Sequence, residues 1–130
     1  MRMKLSVLKG LSLGALLAAG VASLARAQGA AQFDGQYTGE LRLARTFSGD
    51  CTEPPFGALY PLTIAGGEVR FPYLPRFATT LRGTIRQDGL FRATARARKG
   101  VVQMTGRIQG GNVTASIVSS SCAYTFQTRN

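Results

Sequence analysis

The sequence predicts an all-β fold, an eight-stranded antiparallel up-and-down barrel with one disulfide. Three observations lead to it. Turn signals recur at short intervals, at Gly66-Gly67, Asp88-Gly89, Lys99-Gly100, Gly110-Gly111 and Ser120-Ser121. Between them apolar and polar residues alternate with period two, the mark of strands with one buried face. One apolar face persists through five hairpins in succession. No stretch beyond residue 27 carries a helical period. At 130 residues the chain is one domain, and 45% hydrophobic content is too high for a disordered one.

The chain opens on an export signal. Arg2, Lys4 and Lys9 form a basic head, and Leu11 to Leu24 is an apolar run. Ala25-Arg26-Ala27 is a small-x-small cleavage site. Residues 1–27 are thus expected to be removed, leaving residues 28–130 as the barrel domain, in the periplasm or secreted. The apolar run is short for a membrane span, so no span is expected after cleavage. No Cys follows it and no Arg pair precedes it, against a lipid anchor or the twin-arginine route. Losing this segment, with its four basic side chains, leaves 12 basic and 6 acidic residues over 103 positions, a net charge of +6.

Strands are expected near 35–45, 58–65, 68–73, 78–86, 90–98, 101–109, 112–119 and 122–128. Directly opposed residues share a face, so the register can be tested. Around Gly66-Gly67, Ile64 meets Val69 and Leu62 meets Phe71. A three-residue loop, Gln87-Asp88-Gly89, with Gly89 left-handed, sets Ile85 against Phe91. Around Lys99-Gly100, Ala97 meets Val102 and Ala93 meets Gly106. Around Gly110-Gly111, Ile108 meets Val113. Around Ser120-Ser121, Ile117 meets Tyr124 and Ala115 meets Phe126.

An eight-stranded meander closes most simply as a barrel, pairing the first strand with the last and removing both edges. Closure brings Cys51, just past strand one, to the same end as Cys122. An even cysteine count in an oxidising compartment reads as one disulfide. A two-sheet sandwich is the alternative architecture. A membrane barrel is excluded by the outward positions, which include Arg82, Arg86, Arg92, Arg96 and Arg107. A weak repeat links Tyr37–Leu43, Leu81–Gly89 and Met104–Gly111 through a shared x-Gly-x-Leu/Ile core.

The interior is either packed solid or hollow enough for one small ligand. A layer of Gly83, Ala93, Gly106 and Ala115 leaves room that large residues elsewhere must fill. Ile85, Phe91, Ile108 and Val113 plug the end with tight turns. The other end has the long loops 46–57 and 73–77 and a smaller, more polar layer of Thr79, Ala97, Val102, Ser119 and Cys122. Any pocket mouth lies there, with Arg45, Arg76, Arg98 and Lys99 around it and Tyr60 and Tyr73 nearby. On the outer wall the register sets Arg92 opposite Arg107 and Thr84, with Arg82 and Arg86 flanking. That cluster suits a phosphate, sulfate or carboxylate.

These sites point to a binding module for an anionic small molecule or envelope polymer. The alternative is a protein–protein module, an inhibitor or accessory of an exported enzyme. It would act through loops 46–57 and 73–77, with Phe47, Phe56, Leu59, Tyr73, Leu74 and Phe77 as anchors. No enzyme is expected. The chain has no His, hence no His base or triad, and its two Cys alone make no zinc site, so no metal or cofactor is expected. Asp34 and Asp88 read as turn residues, and Asp50 and Glu53 as loop acids. Nucleic acid is a poor partner, because the basic wall has no interleaved aromatics.

The Phe33–Gly39 segment, a Cys soon after strand one, Leu81–Phe91, Gly106–Val113 and the Ser121–Phe126 ending together resemble a group of small exported bacterial two-cysteine β-meander proteins of unknown function. The resemblance covers most of the mature chain and implies the fold and export, with no catalytic or ligand residue. The likeness to lipocalin-like and avidin-like barrels is one of architecture. Gly35-Gln36-Tyr37 stands where both have an early Gly-x-Trp.

Overall fold

A computed structural model describes residues 31–73 and 79–129. The expected signal, residues 1–27, lies outside them. The eight strands are β1 (Gly35–Thr46), β2 (Tyr60–Ala65), β3 (Glu68–Tyr73), β4 (Thr79–Ile85), β5 (Leu90–Ala97), β6 (Gly100–Gln109), β7 (Asn112–Val118) and β8 (Cys122–Thr128). Each pairs antiparallel with the next, and β1 pairs with β8 to close the barrel. A barrel, not a sandwich, is therefore the architecture.

Four hairpins keep the register that alternation requires: Ile64–Val69, Ile85–Phe91, Ile108–Val113 and Ile117–Tyr124 are direct partners. Gly89 has φ 88°, the left-handed position of the three-residue loop. The β5–β6 hairpin differs. Its turn is Arg98-Lys99, with Ala97 opposite Gly100, Ala95 opposite Val102 and Phe91 opposite Gly106. Gly100, at φ 128°, is needed as the first strand residue rather than inside the turn. Moving a turn by one residue moves every pair by two. The inner face is kept, but the outer neighbours change.

The interior is packed. Phe71, Phe126, Tyr124, Leu62 and Met104 are fully or almost fully buried, and the Phe71 and Phe126 rings meet edge to face at 5.1 Å. The small residues make this possible. A Cβ at Gly106 would lie 2.7 Å from Phe91 Cζ, and one at Gly39 would lie 2.8 Å from Phe126 Cζ. The weak repeat thus has a steric cause, since two of its glycines each sit under a Phe ring. Burying such rings stabilises by roughly 2–3 kcal/mol each.

The Gly66-Gly67 end is sealed by Ile85, Phe91, Ile108 and Val113, all buried. A strap at residues 31–34 ties across it. The Asp34 carboxylate accepts from the Gly66 and Gly67 N–H groups at 2.8 and 3.2 Å. The Tyr37 hydroxyl donates to the Phe33 carbonyl at 2.6 Å.

Near the opposite end the β2–β3 ladder stops early, at Thr63–Arg70. Two-residue turn geometry makes positions 61 and 72 the next hydrogen-bonded pair. Both are Pro, so neither has an N–H to give. β2 itself starts level with Gly39, which pairs with Tyr60, while β1 runs on to meet Cys122 at Thr46. Loop 47–59 spans that difference in height.

Candidate functional site

Two surfaces hold most of the residues singled out by the sequence. The first is the outer wall of β4, β5 and β6. Outward positions there alternate Arg and Thr, and the register lines up Thr84, Arg92 and Thr105. Arg92 is therefore not opposite Arg107, as the earlier turn position required. Arg107 faces Leu90 and Thr114 instead, because the turn lies one residue earlier. The cluster survives the change. Arg86, Arg92 and Arg107 line one groove of about 640 Å³ with Thr84, Thr105 and Thr114. Arg82 lies on the same wall, directly opposite Arg70 of β3.

The ion pairs of this wall are few. Arg70 meets Glu68 at 3.0 Å and Arg86 meets Asp88 at 3.1 Å. Among the described residues no carboxylate lies within ion-pair distance of Arg82, Arg92 or Arg107. All three are exposed. The other side of the barrel contrasts with this: β7 and β8 carry no charged residue.

The second surface is a cleft of about 750 Å³ at the end opposite the strap. The whole polar layer expected there, Thr79, Ala97, Val102, Ser119 and Cys122, lines it. One side is the β5–β6 turn, with Arg96, Arg98 and Lys99. Another is the β7–β8 turn, Ser119 to Ser121. A third is loop 47–59, through Asp50 and Thr52. Tyr73 and Tyr124 form the buried floor, their rings edge to face at 5.9 Å.

This end is held by several links. Cys51 and Cys122 form the expected disulfide. The Phe47 and Ser48 N–H groups donate to the Ser121 carbonyl at 2.7 and 3.3 Å. The Tyr124 hydroxyl donates to the Thr52 carbonyl at 2.9 Å, and Pro54 is buried beneath the loop. Ser119 Oγ accepts from the Ser121 and Cys122 N–H groups at 3.3 and 3.0 Å, fixing the turn. Burial, the neighbouring Tyr124 hydroxyl and, against them, a hydrogen bond with Ser119 set the Tyr73 phenol at about 12. Burial, then the Glu53 carboxylate, push Tyr124 up as well.

Of the residues expected at the mouth, Tyr73, Arg98 and Lys99 line the cleft. Arg76 lies outside the described residues. Arg45 and Tyr60 do not line it. A bulge between Leu43 and Arg45 breaks the alternation of β1 and turns Arg45 outward, beside Ala123. Tyr60 pairs with Gly39 and is not among the residues lining the cleft. Asp50, Thr52 and Tyr124 were not expected there. The cue in the sequence was Pro54-Pro55 beside Cys51, a stiff segment tied down at one end.

Tyr73 is buried and does not serve as a surface anchor, whereas Phe56 is 93% exposed. The remaining acids are mostly occupied. Glu40 meets Arg42 and Arg129, and Asp88 accepts from the Leu90 N–H besides pairing with Arg86. The chain matches no family model, no curated protein and no solved structure, so its surfaces are read on geometry and chemistry alone.

Proposed function

We propose that this protein is an exported, non-enzymatic binding module for an anionic envelope polymer, which it holds on the arginine wall of β4–β6. One observation carries the reading. Arg82, Arg92 and Arg107 share that wall, and no carboxylate among the described residues balances them. Like charges on neighbouring strands repel. Phosphate, sulfate or carboxylate groups relieve that repulsion through charge-assisted, often bidentate, hydrogen bonds to guanidinium. Thr84, Thr105 and Thr114 supply hydroxyls between the arginines, which suits a hydroxyl-rich polymer.

Other features support the reading. The chain has no His. Asp34, Glu40, Glu68 and Asp88 are engaged in structural contacts, which leaves few carboxylates for acid–base work. The disulfide suits an oxidising compartment, and with the expected signal it favours the periplasm or the cell exterior.

The test uses dextran sulfate as probe and neutral dextran as control, by titration calorimetry. If three arginines are engaged, affinity falls about 20-fold or more between 50 and 200 mM salt. Arg92→Ala with Arg107→Ala weakens binding at least as much, while Arg42→Ala with Arg45→Ala leaves it unchanged. Equal binding by the Arg92/Arg107 double variant and the wild type would overturn the reading. A protein–protein role through loops 46–57 and 73–77 is the second reading, favoured by exposed Phe56 and half-exposed Phe47 and Leu59. Partner binding of that kind survives the arginine changes and fails when loop 46–57 is shortened.

A further inference from the structure

We infer that the cleft at the disulfide end is a second, separate binding site, for the acidic end residue of a carbohydrate such as a uronic acid. Its chemistry differs from that of the wall. Arg96, Arg98 and Lys99 stand along one side, and among the described residues Asp50 is the one acid lining it. An anionic group is therefore favoured at the turn side. Opposite are the hydroxyl groups of Ser120, Ser121 and Thr52. Among the described residues these three hydroxyls, Arg98 and Lys99 have no side-chain hydrogen bond or ion pair within the protein. They are available to a ligand that is at once charged and hydroxylated.

The shape narrows the class further. The floor is closed by Tyr73, Val102, Cys122 and Tyr124, each no more than 9% exposed. Below it the Phe71–Phe126 pair fills the barrel. An acyl chain or other long apolar tail thus has no channel to enter, which excludes the lipid cargo that hollow barrels of this size hold. A volume of about 750 Å³ takes one or two sugar rings.

The walls are also fixed before any ligand arrives. The disulfide, the two N–H bonds to the Ser121 carbonyl and the Tyr124–Thr52 bond hold loop 47–59 against the β7–β8 turn. Ser119 holds that turn from inside. Such a site spends little binding energy on ordering itself.

The experiment is an NMR titration of the oxidised protein with glucuronate, glucose, acetate and decanoate. Backbone amides report the place of binding. With glucuronate, shifts concentrate at Arg98–Gly100, Ser119–Cys122 and Thr52. Glucose and acetate, each lacking half of the chemistry, bind at least about tenfold more weakly, and decanoate no better than acetate. Arg98→Ala with Lys99→Ala lowers glucuronate affinity about tenfold or more. Ser120→Ala lowers it severalfold, a milder change in case the turn variant folds poorly. Arg92→Ala with Arg107→Ala leaves it unchanged, so the cleft and the wall are judged separately. Three results would each overturn the proposal: no shifts at the cleft, equal binding of acetate and glucuronate, or tighter binding of decanoate.

Discussion

The two ends of the barrel are finished by opposite means. At the Gly66-Gly67 end the strands turn tightly, Ile85, Phe91, Ile108 and Val113 seal the interior, and the short strap at residues 31–34 lies across. Apart from the strap, that seal follows from turn chemistry and alternation. At the other end the β2–β3 ladder fails at two facing prolines, and β2 stops short of β1. A long loop and a covalent link between residues 71 apart make good the deficit. At the sealed end the interior has no room for a ligand, and the end with the disulfide has a cleft. In this fold, a cleft arises where strand pairing runs out and something other than hydrogen-bond ladders must hold the walls.

The largest effect should come from cutting that covalent link. Cys51→Ser with Cys122→Ser reopens a loop of 71 residues, worth about 4 kcal/mol in the chain-entropy model. Chemical denaturation measures the loss. Hydrogen exchange locates it. The Phe47 and Ser48 amides, which rest on the Ser121 carbonyl beside the disulfide, should lose protection beyond the global change. Ile85 and Ile108 at the sealed end should follow global stability only. A uniform loss at both ends would refute the division between them.

The same comparison predicts a smaller loss at the sealed end. Asp34→Ala leaves the Gly66 and Gly67 N–H groups without their acceptor, at a cost of about 1–2 kcal/mol. Asp34→Asn keeps one acceptor oxygen and should recover part of it. Calorimetric unfolding of the three proteins tests this. No change in either variant would show that the strap merely rests on the turn, and the cleft should be unaffected whatever the result.

How far each end could be read in the sequence follows the same division. Local rules placed all eight strands, and the inner face was legible because its period of two survives a misplaced turn. The disulfide was legible because closure and cysteine count pointed to one end. The misread residues all depend on something non-local or on a single inserted residue. Arg45 turned outward because Ala44 is the extra residue of a bulge, and a bulge leaves no mark in an alternating pattern. Arg92 and Arg107 changed neighbours because Gly100 serves the strand rather than the turn. Asp34 read correctly as a turn residue, but the turn it serves is 32 residues away, which no local pattern shows.

The smallest expected effect concerns the floor of the cleft and appears only in alkali. Tyr73 is buried beside Tyr124, and its phenol is held neutral up to about 12, above the 10.0 of a free tyrosine. The unfolded chain therefore loses this proton first. The group's contribution to stability is complete below pH 10 and is lost as pH rises from 10 to about 12. Tyr73→Phe has no proton to lose. At pH 8 it should be less stable than the wild type by about 1 kcal/mol, the worth of the hydrogen bond with Ser119. Between pH 10 and 12 the wild type should decline more steeply, so that the gap closes at about pH 11 and then reverses. Tyr37 and Tyr124, also raised by burial, keep some decline in both proteins. Urea midpoints at pH 8 and pH 11 decide the matter. A gap that stays constant would mean that water reaches the Tyr73 hydroxyl and that the cleft has no dry floor.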